Sequence, residues 1–188
     1  DEQVERAANS ARFACAAGAG RLPICHRQPP PDESTAKDLD TFCAVVEEIG
    51  HRCREFEVEL CFLPRAQHLV ATEKEIARLL ASTKADCVKL ALDTAEVSMA
   101  GSSPARVIKN SIDRLRSVRY RDVYAGKRKA RGASGQPGSV PQFGRGSVDF
   151  EGVSKALRAS GYGGWSVLDV TGESHLPAAA VEMGHRFL

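Results

Sequence analysis

The chain has 188 residues, of which 43% are hydrophobic and 27% charged, with a formal net charge of +2. That length suits one large domain, and the near-neutral charge argues against a dedicated nucleic-acid binder, which carries a strong basic excess on one face. No apolar run approaches the roughly 20 residues of a membrane helix, and the acidic start Asp1-Glu2-Gln3 is unlike a signal peptide.

Residues 2 to 18 read as a helix, with Val4, Ala7, Ala8, Ala11, Phe13 and Ala16 as its apolar stripe. Gly18-Ala19-Gly20 stops it, and residues 21–25 form a short strand that contains Pro23. Three consecutive prolines make residues 27 to 35 a loop. A long helix follows over about 36–55, its buried face marked by Leu39, Phe42, Cys43, Val46, Ile49 and Cys53 at spacings of three and four. Residues 56–63 alternate like a strand, with Val58, Leu60 and Phe62 on one side.

Thr72-x-x-Glu75 is a capping box, so the next helix runs from Glu73 to about Ser82 with Ile76, Leu79 and Leu80 inside. A buried strand over 87–92 ends at Asp93. Ser103 caps a helix with Pro104 at its first position, and Val107, Ile108, Ile112 and Leu115 form its stripe. A strand over about 117–122 precedes a loop that reaches residue 147. Asp149 caps a helix over 150–159 that Gly161 ends, the last strand covers 165–170, and a final helix spans roughly 177–187.

This α-β-α-β-α-β-α-β-α-β-α order, with short turns, predicts a single α/β domain of five parallel strands joined by right-handed crossovers. An open doubly wound sheet and a (β/α)8 barrel both fit. No Gly-x-Gly-x-x-Gly follows a strand and no Gly-rich loop leads into Lys-Ser/Thr, so the dinucleotide and P-loop readings fail. In either remaining fold, chemistry sits at the carboxyl ends of the strands. Asp93 lies at such an end, either as a ligand or base or as the cap of the adjoining loop. The six cysteines show no Cys-x-x-Cys pair and no zinc spacing. They read as reduced core residues of a cytoplasmic protein, with Cys25 beside His26 as the one position where a reactive thiol is conceivable.

Several segments together resemble the xylose-isomerase-like TIM barrels, and within them the inosose dehydratase branch. Val70-Ala71-Thr72-Glu73-Lys74-Glu75-Ile76-Ala77-Arg78-Leu79-Leu80 resembles the family's V-x-T-x-x-E-I-x-x-L-L helix start, and Leu92-Asp93-Thr94-Ala95-Glu96 resembles L-D-T-G-H. Ser117-Val118-Arg119-Tyr120-Arg121-Asp122-Val123 resembles H-V-H-L-K-D-V. Phe143-Gly144-Arg145-Gly146-Ser147-Val148-Asp149-Phe150, with Gly161-Tyr162-Gly163-Gly164-Trp165, resembles the ending L-G-x-G-x-V-D-F … G-Y-x-G-W. The resemblance implies the later part of a TIM barrel. Eight strands in about 250 residues would leave roughly 60 or more residues unaccounted for at the amino end. It also implies a small-molecule polyol or keto-sugar as substrate, isomerase, epimerase or dehydratase chemistry, and an oligomer or partner chain covering the open barrel, since bare sheet edges pair. Nucleic acid and membrane are not implied as partners; the endonuclease members of the group need several metal-binding histidines that are missing here.

The resemblance further implies a divalent Mn or Mg at the strand ends, which polarises a sugar oxygen while a base moves a proton. Asp93 keeps the family's aspartate and Asp169 replaces a glutamate; these two are the metal candidates. Glu96, where the family has histidine, becomes the candidate base. Arg119 replaces a metal-binding histidine, Leu63 and Arg65 replace a Glu/His pair, and Asp122 matches an aspartate of substrate-orienting or strand-end capping role, with Arg121 in place of lysine. His26, His68 and Arg65 are candidates for substrate contact. A guanidinium does not deprotonate and cannot ligate a metal. Arg119 is therefore expected to neutralise Asp93 and Asp169 as an ion pair, with no metal held; the alternative is that Arg119 points elsewhere and a weak metal site persists. A catalytically inactive relative that serves as a binding or assembly subunit is the second functional reading. The basic run 127–131 reads as a solvated loop or a site for an acidic group.

Overall fold

A computed structural model describes residues 2–26, 36–124, 141, 143–169 and 182. The elements run α1 (Glu2–Ala16), β1 (Arg21–Ile24), α2 (Ala36–Arg54), β2 (Glu59–Phe62), α3 (Glu73–Ala81), β3 (Val88–Asp93), α4 (Thr94–Met99), α5 (Pro104–Ser111), β4 (Leu115–Tyr120), α6 (Phe150–Ala159) and β5 (Trp165–Leu168). The five strands are parallel, lie in sequence order, and curl into part of a barrel. The expected loop at 27–35, the basic run 127–131 and, apart from residue 182, the helix at 177–187 lie outside the described residues.

Side-chain alternation sorts each strand into two faces. Leu60, Phe62, Val88, Leu90, Leu92, Val118 and Tyr120 are buried against the helices. The helices return matching stripes: Cys43, Val46, Ile49 and Cys53 from α2, Ile76 and Leu79 from α3, Val107 and Ile108 from α5, and Phe150, Val153 and Ala156 from α6. The opposite, barrel-inner face is polar at its amino-terminal rim. There Glu59 accepts from Arg21 at 3.2 Å and from Arg116 at 3.1 Å. Arg116 reaches it because β4 carries one extra residue: Leu90 pairs with Leu115, but Ala91 pairs with Ser117.

Caps fix where helices begin. Thr72 and Glu75 complete the capping box of α3, Ser103 accepts from the Arg106 amide ahead of α5, and Asp149 accepts from the Gly152 amide ahead of α6. Gly161 follows α6 with φ of +62°, a conformation that favours glycine.

Four readings of the sequence need correction. Phe13 is 76% exposed, because it lies off the Ala8, Ala11 and Ala14 face that α1 buries. Leu115 belongs to β4, not to the preceding helix, which ends at Ser111. A short helix, α4, starts directly at the end of β3 where a loop was expected. Cys43, Cys53, Cys61 and Cys87 are buried, but Cys15 and Cys25 are exposed. Burial pushes the thiols of Cys53 and Cys61 up to about 11, so both stay protonated as small apolar groups. No helix among the described residues is long and apolar enough to cross a membrane.

Candidate functional site

The carboxyl ends of β3, β4 and β5 bring Asp93, Arg119 and Asp169 side by side, since Asp93 pairs with Arg119 in register and the Asp169 amide bonds the Tyr120 carbonyl. Asp93 is 2% exposed. One of its oxygens, Oδ1, accepts from the amides of Ala95 at 2.9 Å and Glu96 at 3.1 Å, so the residue caps α4. Capping and a site position therefore coexist in one carboxylate.

Its main cationic partner is Arg121. The Arg121 Nε donates to Asp93 Oδ2 at 3.1 Å and lies 3.3 Å from Oδ1, and its Nη2 donates to Glu96 Oε1 at 2.6 Å. Glu96 Oε2 also accepts from the Ala66 amide at 2.8 Å, which ties the β2–α3 loop to α4. Burial pushes the Asp93 carboxyl above its ordinary range, offset in part by the Arg121 charge and the Glu96 amide. Burial alone would favour neutral Arg121, but the charges of Asp93 and Glu96 outweigh it and hold the guanidinium protonated.

Arg119 donates through Nη2 to Asp169 Oδ2 at 2.7 Å, while its Nε stands 3.9 Å from Asp93 Oδ2. One guanidinium thus sits within ion-pair range of both aspartates, which share one end of the sheet. The expected division of labour shifts: Arg119 serves Asp169, and Arg121 serves Asp93. Arg65, half exposed on the β2–α3 loop, approaches Glu96 Oε1 at 3.7 Å.

Asp122 is 4% exposed and faces away from this cluster. Its carboxylate accepts from four backbone amides: Val123, Gly144, Gly146 and Val148, at 2.8 to 3.2 Å. It organises the 143–148 loop, whose Phe143 stacks on Phe150 at 4.2 Å. A Cβ on Gly146 would overlap that carboxylate. His26 and His68 meet edge to face at 6.0 Å, with Phe42 edge-on to His26 at 5.2 Å. His68 Nδ1 lies 2.9 Å from the Ala66 carbonyl, and His26 Nδ1 is buried with no hydrogen-bond partner among the described residues. Of the candidates named from the sequence, Asp93, Glu96, Arg119, Asp169 and Arg65 form one linked cluster. His68 joins it through the Ala66 segment, His26 touches it only through His68, and Asp122 stands apart. Arg121, the centre of the cluster, was legible only as a substituted lysine.

A divalent cation does not fit this donor set. Every carboxylate of the cluster faces a guanidinium, and Asp93 Oδ1 and Glu96 Oε2 are further committed to amides. Among the described residues no three His, Cys, Asp or Glu side chains converge as a metal cluster. A metal would have to displace fixed positive charges from short contacts.

The family model described as xylose isomerase-like TIM barrel matches residues 1–188. An inosose dehydratase of Lacticaseibacillus casei is 27% identical over 144 residues, covering 72% of this chain and 48% of its own length. Another, of Geobacillus thermodenitrificans, is 33% identical over 142 residues, with 72% of this chain and 48% of its own length covered. The chain thus spans about half the length of the curated relatives it matches. Among solved structures, the probable 3-DHS dehydratase AsbF of Bacillus anthracis superposes with a TM-score of 0.79 at 11% identity, over 99% of this chain and 68% of that one. An L-ribulose 3-epimerase superposes with a TM-score of 0.71 at 14% identity, over 97% and 58% of the two chains. These likenesses establish the fold.

Proposed function

Because this chain belongs to the xylose isomerase-like TIM barrel family, we propose that it binds a polyol or keto-sugar at the carboxyl ends of its strands, and that it does so without a divalent metal. It acts as a ligand-binding relative of the sugar isomerases, epimerases and inosose dehydratases. The observation that carries this reading is the pairing of every cluster carboxylate with a guanidinium, Asp93 and Glu96 with Arg121 and Asp169 with Arg119. Three anions that would otherwise attract a dication are already neutralised.

The same pairing supports an assignment of roles. Glu96, clamped by Arg121 at 2.6 Å and by the Ala66 amide, positions the β2–α3 loop. Asp93 and Asp169 orient the two arginines. Arg65, His68 and His26, on the neighbouring strand-end loops, supply the ligand contacts. Asp122 shapes the adjoining loop.

Isothermal titration with Mn²⁺ and Mg²⁺ tests the reading. No heat of binding is expected up to millimolar metal, and micromolar binding to the unaltered protein refutes it. A second, complementary role as an assembly subunit is favoured by one specific observation. On β5, the last strand of the sheet among the described residues, Trp165 is 67% and Val167 46% exposed, an apolar face at the sheet's end. Light scattering checks it: a mass above that of one chain, lowered by Trp165→Lys, is the expected result.

A further inference from the structure

We infer that the strand-end cluster is an oxyanion site: Arg119 and Arg65 grip the carboxylate or phosphate group of an acidic sugar or polyol. The inference rests on the metal-free reading above and adds the chemical class of the ligand.

The cluster contains three carboxylates and three guanidiniums, so its formal charge is zero. Its exposed surface is not neutral. The side chains of Asp93, Asp169 and Glu96 are 2%, 6% and 9% exposed, whereas those of Arg119 and Arg65 are each 47% exposed. The anions lie underneath and the cations on top. An arriving ligand meets guanidinium first, and the buried carboxylates act mainly to hold those guanidiniums in place.

Donor capacity supports this. A guanidinium carries five N–H donors in a planar fork. Among the described residues Arg119 makes one hydrogen bond, to Asp169, and its 3.9 Å approach to Asp93 is too long for another. Arg65 makes none to the described residues, since its nearest carboxylate oxygen is 3.7 Å away. Both retain donors that suit the paired oxygens of a carboxylate or phosphate. Arg121 differs: it is 23% exposed and uses Nε and Nη2 on Asp93 and Glu96, so it anchors the cluster and does not touch the ligand. Arg65 and Arg119 stand at the two ends of one connected network, through Glu96, Arg121 and Asp93.

The test uses one six-carbon polyol with three head groups: D-gluconate, D-glucitol 6-phosphate and uncharged D-glucitol. Each is titrated calorimetrically into the full chain in EDTA, at low and moderate salt. Expected is binding of at least one acidic probe, weakened by added salt, with D-glucitol weaker by about tenfold or more, the loss of one charge-assisted hydrogen bond. Arg119→Gln and Arg65→Gln, both at half-exposed positions, should each weaken the acidic probe by a similar factor with unchanged circular dichroism. The gluconate and phosphate arms distinguish the two sources of the oxyanion. Failure of every acidic probe to bind at millimolar concentration, equal binding of D-glucitol, or indifference to both substitutions overturns the inference. Such failures leave the metal titration untouched. Micromolar Mn²⁺ binding would instead bring down the metal-free reading itself.

Discussion

Replacing Arg121 by methionine removes the one cation buried among Asp93 and Glu96. The guanidinium contacts them at 3.1 and 2.6 Å, and their side chains are 2% and 9% exposed. Removing one partner of a buried ion pair costs about 3–5 kcal/mol. Arg121 is itself 23% exposed, so solvent can relax part of the loss and the lower end, about 3 kcal/mol, applies. The cost depends on pH with a definite sign. Burial already raises the Asp93 carboxyl above its ordinary value of 3.8, and loss of Arg121 raises it further. A carboxyl raised in the folded state contributes stability below its unfolded value and loses it as pH climbs through the folded one. The deficit of Arg121→Met should therefore be small near pH 4 and full at neutral pH. Urea unfolding followed by circular dichroism across that range measures it. Arg119→Met removes a half-exposed cation from a buried Asp169 and should cost less than Arg121→Met, on the order of 1–2 kcal/mol. A neutral-pH deficit for Arg121→Met below about 1 kcal/mol, or one that is flat with pH, refutes the assignment of Arg121 as the buried counter-charge.

Four further outcomes rest on the same kinds of contact. Asp122→Ala strips four amides of their acceptor and should cost at least about 3 kcal/mol, with proteolysis appearing in the 143–148 loop; Gly146→Ala, whose Cβ meets that carboxylate, should cost about 1–3 kcal/mol in the same unfolding assay. Thr72→Ala removes the α3 cap for about 1 kcal/mol, whereas Thr72→Ser keeps most of it, as thermal melts will report. Burial would raise the Glu59 carboxyl, but Arg116 and Arg21 together outweigh it and hold it below its ordinary 4.5; its contribution is present above that value and fades as pH falls below it, so Glu59→Gln should flatten the acid limb of the stability profile.

How much of this was legible in the sequence depends on how local each signal is. The helix stripes of α2 and α3, and the caps Thr72, Ser103 and Asp149, act within one or two turns, so spacing alone located them. The six residues of α4 are too few to show a stripe, and the helix exists because Asp93 caps it. Leu115 continues the α5 spacing from Ile112, yet the chain has already turned into β4 by then. Asp122 looked like a site residue because it comes just after a strand; that its carboxylate faces Gly144 and Gly146 depends on a loop returning from more than twenty residues away. The pairing of Arg119 and Arg121 was legible only in part for the same reason. Both are cations near Asp93 in sequence register, but Arg119 lies on the strand and reaches across to Asp169, while Arg121 lies just past its end and reaches back to α4.

Two guanidiniums can match the charge of a dication without matching its chemistry. A metal ion is a point charge with exchangeable positions; it can take a substrate oxygen into its coordination sphere and acidify a bound water. Arg119 and Arg121 have fixed donor directions, no coordination position and no proton to release near neutral pH. Arg119, the more exposed of the two, can orient an oxygen and stabilise negative charge on it, which is enough to recognise an anion and, for a reaction, would still require a separate base. Glu96 is the nearest carboxylate to that role, and Arg121 holds it at 2.6 Å. Arg121→Met, which releases Glu96 from that pair, also takes the counter-charge from Asp93, so the two carboxylates share one support.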